Sequence, residues 1–501
     1  MKRMHRLYLE DFGILPGDGQ NLAPFLQRAM EQAKASLLPS EISLRFGNYD
    51  IYADGLTEKD IFVTNTDSGQ DGDAITRRFA ILFDGARNIT LNGNGSTIRF
   101  HGQMTLAGLL NCRNITLQNI TFDVPHPTLT EMTVLSLGKG FLDCRVHPDS
   151  LYRIREGKIE WYGENFAFSR GISQLYDPTS GLTWREYGPM QDEGAVWEEL
   201  SEGVIRLRYT GDGEQNPYGA REGYVFQMRD PCRNECGILV SSSKGINVKN
   251  VTVHYMHEMG LIVQNSEDIH VDGVQVLPSR GRTAACSSDL LHFSGCRGEI
   301  VIENGCFVGA HDDAINIHGT HLQIVKRDGP RITVRFMHAQ TYGIGGFEAG
   351  DTVAAVDPET LLPAAEAGVV SVSELSPREM LLELDGEAPE AFREGMMVEN
   401  RTAAPAVTIR GNTFERVPTR GILVTTWRKV LIENNRFYRV KMCGILIADD
   451  ARSWYESGNV TDVTVRGNVY RRGDGAFLQV LPENSRYAGP VHRHIALTDN
   501  D

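Results

Sequence analysis

A right-handed parallel β-helix carrying two inserted small β-barrel or sandwich modules is the all-β fold that this sequence predicts. Three observations predict it. First, an apolar/polar alternating run followed by Asn or Gly recurs at Arg87–Ile98, Arg113–Phe122, Gly245–Val253, Asp268–Val274, Glu299–Phe307, Ala406–Phe414, Lys429–Phe437 and Asp462–Tyr470. Second, neighbouring copies keep a steady spacing: 26 residues from Ile89 to Ile115, and 23 from Ile246 to Ile269 and from Val407 to Val430. Short strands at such a period are the mark of a solenoid, each period being one coil. Third, the pattern vanishes over residues 123–227 and 322–400, between stretches that carry it.

Within each run, alternation gives one inward and one outward face. Asn and Gly between runs supply the left-handed backbone of tight corners. A sandwich also alternates, but sandwiches do not usually hold one register over so many copies. The chain divides accordingly. Residues 1–122 form an N-terminal cap and the first coils. In that part Asn21–Leu37 has helical spacing (Leu22, Phe25, Leu26, Ala29, Met30, Ala33), which suits a lid over the open first coil. Residues 123–227, with Trp161, Trp184, Trp197 and the strand-like Gly203–Tyr209, form one β-module. Residues 228–321 are central coils, 322–400 a second β-module of short strands such as Arg331–Phe336 and Glu379–Leu384, and 401–501 the last coils.

The bulk composition sets limits. At 501 residues the chain exceeds one ordinary compact core, and 41% hydrophobic with 23% charged residues is ordinary for a folded soluble protein. A net charge of −15 disfavours nucleic acid and membrane surfaces as partners and suits a neutral sugar better than a polyanion. Met1–Arg6 is basic but no apolar stretch follows, so the chain is expected to be cytoplasmic, or secreted with its leader already removed. The eight cysteines are too sparse for a disulfide scaffold, Cys232 and Cys236 too isolated for a zinc site, and all eight are expected to be buried thiols. Bare coil faces leave room for a homodimer.

The chemistry concentrates in His311-Asp312-Asp313-Ala314-Ile315-Asn316-Ile317-His318-Gly319-Thr320-His321. Adjacent carboxylates resist ionising together, and glycoside hydrolysis needs an acid and a carboxylate close by. Asp289 precedes Asp312 by 23 residues, one coil, and Ser288–His292 aligns with Asp312–Asn316, so three carboxylates are expected to converge. Stacked capping aspartates or a calcium site are the plainer alternatives. His292, His318 and His321 surround that surface as sugar hydrogen-bond partners or structural histidines. The Gly-rich segment Tyr342–Asp351 is expected to fold over the cleft, bringing Tyr342 and Glu348, or else to be an ordinary hairpin turn. Asp449–Gly458 lies in a longer coil and offers Trp454 as a sugar platform and Glu456 as a hydroxyl-binding carboxylate.

At Ser288-Asp289 with His292, the Asp312–His321 string, Gly346–Asp351 and Asp449–Gly458, the sequence resembles glycoside hydrolase family 110, the α-1,3-galactosidases. The resemblance runs from Asp11 through Val463. It implies a β-helix with two β-barrel insertions and inverting hydrolysis of terminal α-1,3-linked galactose without a metal or organic cofactor. It also implies Asp289, Asp312, Asp313 and Glu348 as active-site acids. By analogy with pectin-hydrolysing β-helices, Asp312 is the expected proton donor, with Asp289 and Asp313 holding the attacking water. The rival readings are a polygalacturonase-like hydrolase, whose Gly-His-Gly element is missing here, and a glycan-binding β-helix without catalysis.

Overall fold

The computed structural model describes residues 4–69, 72–210 and 216–501; Met1, Lys2 and Arg3 of the basic start lie outside them. Two long parallel sheets wind along the chain, as the repeats require. In the first, Ile89, Ile115, Ile246, Ile269, Ile300, Val407, Val430, Val463 and Ile495 occupy one rung position in successive strands. In the second, Ile81, Ala107, Ile238, Leu261, Leu291, Ile315, Ile422, Ile445 and Leu478 do the same. Inward residues of both sheets share one apolar core. Here parallel pairing stacks like on like, so one repeated motif suffices for a continuous core.

Two features hold the rungs in phase. The corner asparagines Asn88, Asn114, Asn119, Asn250, Asn304 and Asn434 take positive φ, where asparagine is among the few tolerated side chains. A buried ladder joins the last coils: Asn412 Nδ2 donates to Asn435 Oδ1 at 3.0 Å, Asn435 Nδ2 to Asn468 Oδ1 at 3.0 Å, and Asn468 Nδ2 to Asn500 Oδ1 at 2.9 Å. Each amide also reaches a strand carbonyl, at Ile302, Ile409 and Ile432 respectively. Beside it Phe307, Phe414 and Phe437 stack at 5.6 and 4.9 Å between ring centroids.

The helix Ala23–Ala35 presses Leu26, Ala29, Met30 and Ala33 into the core. The first interruption is a seven-stranded antiparallel sheet with a three-stranded companion, around Trp161, Trp197, Tyr218 and Phe226. The second is a closed six-stranded barrel. Rungs joined across them lie 131 and 107 residues apart in sequence, yet pair directly. One expectation fails: Cys232 is exposed and Cys306 half-buried, because both lie outside the inward positions that bury the other six thiols. Among the described residues no helix is long and apolar enough to cross a membrane.

Asn435→Ala removes a buried rung that accepts from Asn412 and donates to Asn468 and the Ile409 carbonyl. Its loss is expected to cost about 2–4 kcal/mol, read as a lower urea midpoint at unchanged slope; an unshifted midpoint contradicts a stabilising role for the ladder.

Candidate active site

The second sheet positions the carboxylates. Leu291, Ile315 and Ile422 are consecutive rungs, so Asp289, Asp313 and Arg420, two residues before each, form one column. The coil here is 24 residues, not 23, so Asp289 stacks on Asp313 and leaves Asp312 to the side. The Asp313 N–H donates to Asp289 Oδ1 at 3.0 Å. Oxygens of Asp289, Asp312 and Asp313 come within 4.8 Å of one another.

Such proximity is unfavourable unless positive charge answers it. Arg420 Nη2 donates to Asp313 Oδ2 at 2.6 Å, while Asp313 Oδ1 accepts from Thr419 Oγ1 at 2.6 Å and from the Arg420 N–H at 3.1 Å. Arg185, from the first inserted module, meets Asp312 Oδ2 at 2.7 Å, with Arg233 at 3.6 Å. The carboxylates thus diverge electrostatically. Burial would raise Asp312, but Arg185, Arg420, Arg233 and Arg229 together hold it below the usual carboxylate range. Burial, reinforced by the charge of Asp312, pushes Asp289 up to about 7. Guanidinium groups already meet Asp312 Oδ2 and Asp313 Oδ2, so the donor set fits a charge-balanced acid cluster better than a calcium cage.

Behind Asp289 runs a chain of imidazoles. His292 Nδ1 lies 2.8 Å from Asp289 Oδ2, and His318 Nε2 lies 3.0 Å from His292 Nε2. His318 Nδ1 lies 2.6 Å from the Gly319 carbonyl oxygen. Glu456 Oε1 is 3.5 Å from His318 Nε2 and accepts from Asn316 Nδ2 at 3.2 Å. Burial pushes His292 down to about 4 and lowers His318 as well.

Asn65, Arg185, Arg233, Asp289, Asp312, Asp313, Asn316, Arg420, Trp454 and Glu456 enclose a cavity of about 100 Å³. A second, of about 520 Å³, shares Arg185, Arg233, Asp312 and Trp454 with it and extends along Ser173, Gln174, Tyr187 and His311. Trp454 is 40% exposed at the junction, its ring 4.4 Å from that of His338.

Known proteins resemble this chain along nearly its whole length. The family model of GLAA-B beta-barrel domain II matches residues 331–398, within the closed barrel. An α-1,3-galactosidase A of Bacteroides thetaiotaomicron is 38% identical over 97% of this chain and 86% of its own length. The chain belongs to glycoside hydrolase family 110, the α-1,3-galactosidases. The Akkermansia muciniphila α-1,3-galactosidase A is 36% identical over 85% of this chain and 71% of its own. An α-1,3-galactosidase B of B. thetaiotaomicron is 31% identical over 98% and 81%. Among solved structures, the tailspike of E. coli bacteriophage HK620 aligns over 99% of this chain and 57% of that one, at 12% identity and a TM-score of 0.43.

Within this family member, the structure gathers Asp289, Asp312, Asp313, Asn316, Trp454 and Glu456 around one cavity. It places His292 and His318 behind the wall instead of on the surface. Three expected residues go elsewhere. His321 is buried against Asp449, 2.9 Å from its carboxylate. Tyr342 belongs to the barrel core, donates its hydroxyl to the Gly72 carbonyl at 2.9 Å and lies under Arg378. Glu348 is exposed near Arg297 and lines neither cavity. The reason is one of direction along the strand. The carboxylates precede Leu291 and Ile315, whereas the Gly-rich loop packs beside Ser294, Gly295 and Gly319 at the far ends of those strands.

Arg185, Arg233 and Arg420 line the cavity as well, and the sequence reading did not single them out. Arg420 carried a signal, since Gly421-Ile422 continues the Ala314-Ile315 rung across the barrel. Arg185 and Arg233 come from non-repeating segments and carried none.

The geometry separates Glu348 from the acids that line the cavity. Glu348→Gln is expected to keep turnover of an aryl α-galactoside within about twofold, while Arg420→Met, which strips Asp313 of its counter-charge, loses at least about 10²-fold. A Glu348→Gln loss comparable to that of Arg420→Met overturns this placement.

Proposed function

We propose that this chain is an exo-acting, inverting glycoside hydrolase that removes terminal α-1,3-linked galactose from blood group B-type or linear Gal-α-1,3-Gal glycans. The observation that carries the reading is the position of Asp312, on the boundary between a small carboxylate-walled cavity and a larger one. The small cavity suits a single terminal sugar, and the larger one the sugar that leaves. The leaving side is lined by Ser173, Gln174 and His311, whose Oγ, Oε1 and ring nitrogens lie buried just beneath it without hydrogen-bond partners. Buried polar groups left without protein partners suit a hydroxyl-rich ligand.

Asp312 is the proton donor to the glycosidic oxygen. In the free protein Arg185 holds it ionised. Arg185 is half-exposed and reaches across both cavities, so an arriving sugar competes for it and releases the carboxyl to take up its proton. Asp289 and Asp313 hold the water. Their oxygens are within 4.8 Å, a gap that one water bridges with two ordinary hydrogen bonds. Water attack opposite the leaving group gives inversion. Asp289, poised near 7, is matched to general-base work near neutrality.

Time-resolved NMR of the released sugar is expected to show β-galactose first; α-galactose first defeats the inverting reading. Asp312→Asn is expected to lower kcat by about 10²–10⁴ on a galactosyl disaccharide, and far less on a nitrophenyl α-galactoside whose leaving group needs no proton. Equal losses on both substrates remove Asp312 from the donor role. Because Asp289 must be ionised to act as base, kcat/KM is expected to fall with decreasing pH below about 7.

A further inference from the structure

The imidazole chain behind Asp289 has a dead end that fixes its protons. A carbonyl oxygen only accepts, so the 2.6 Å contact to Gly319 requires a proton on His318 Nδ1. Neutral His318 then offers a bare lone pair at Nε2. His292 must donate to it from Nε2, which leaves His292 Nδ1 bare and facing Asp289 Oδ2 at 2.8 Å. That arrangement is satisfied when Asp289 itself carries the proton. If Asp289 is ionised, His292 turns its proton to Nδ1, and two ring lone pairs meet 3.0 Å apart with the Glu456 carboxylate 3.5 Å from the same His318 nitrogen. Ionising Asp289 therefore breaks the hydrogen bond between the rings and sets their lone pairs against each other.

From this geometry we infer that His292 and His318, pinned by the Gly319 carbonyl, are positioning residues that set when Asp289 becomes a base and carry its proton to Glu456. The inference rests on the reading of Asp289 as the general base. The transfer balances. The Asp289 Oδ2 proton passes to His292 Nδ1, the His292 Nε2 proton passes to His318 Nε2, and His318 Nε2 hands that proton on to Glu456 Oε1. No heavy-atom bond changes. The chain ends as a carboxylate, two neutral imidazoles and a protonated Glu456. Glu456 also lines the sugar cavity, from which the proton reaches solvent. Since His292 and His318 are almost fully buried, the route runs behind the cavity wall as far as Glu456.

The charged groups facing the chain come from every side. Asp289 feels Asp312, Arg233, Asp313 and Arg420; His292 feels Glu456, Arg233 and Asp312; His318 feels Glu456 and Asp289. Burial keeps either ring from resting as an imidazolium, so the neutral arrangement with the proton on Asp289 is the low-pH form.

Two measurements on the full chain test this. The first is nitrogen NMR of the protein labelled with ¹⁵N-histidine, from about pH 5 to 9. His318 Nδ1 is expected to stay protonated throughout, while His292 changes from the Nε2–H to the Nδ1–H tautomer as Asp289 ionises. An unprotonated His318 Nδ1, or a His292 tautomer that never changes, overturns the inference. The second is His318→Gln, whose amide donates to His292 Nε2 without needing a proton from Asp289. Its acidic limb of kcat/KM is expected to move down by about one pH unit. A purely structural role lowers the rate at every pH and leaves the limb in place, and that result also overturns it. If the protein proves inactive on galactosides, the proposed function fails by itself and the NMR experiment still decides the tautomers.

Discussion

Parallel in-register stacking is the constraint on which everything else depends. It places Leu291, Ile315 and Ile422 one above another and so compels Asp289, Asp313 and Arg420 into one column. Two carboxylates held at strand spacing are a costly neighbour pair. The fold meets that cost inside the same column, by supplying a guanidinium on the next rung. Arg185 and Arg233 then answer the third acid from outside the repeat. The site is thus an electrostatic extension of the ladder: burial pushes Asp289 and Asp313 up, and the arginines around Asp312 hold it down.

The same stacking logic explains why polar groups are tolerated inside. The Asn412–Asn435–Asn468–Asn500 ladder and the Asp289–His292–His318 chain are both rows of buried polar side chains, each finding its partner in the next coil or the next ring. The first row is fully satisfied and stiffens the solenoid. The second is satisfied in only one protonation arrangement, and a buried network that can be satisfied in one way only is a switch.

How much of this was legible in the sequence follows from what repeats. The Ile and Val rungs, the corner asparagines and the two interruptions could all be read, because in a solenoid one local pattern specifies the whole architecture. The convergence of Asp289 with Asp312 and Asp313 was readable from the same spacing, although a coil one residue longer than the 23-residue period exchanged the acid that stacks. Contacts made by non-repeating segments were not readable. Tyr342 and Glu348 share a loop with the right residue types, but which end of a strand a barrel loop packs against is settled by barrel closure and not by any local pattern. His321 fell beyond the end of the useful alternation, into a private pair with Asp449.

Arg185 reaches the cleft from a module that owns a separate core and docks on the coils through contacts such as Gln174 to the His311 carbonyl and Glu131 to the Thr283 and Ala284 amides. Folding therefore has a natural order. Where coils follow one another directly they form from near neighbours in the chain, while the cleft is finished only when a distant segment arrives. During refolding, solenoid structure is expected before the site acquires its full set of charges, so the molecule passes through a period in which it is shaped but not yet competent.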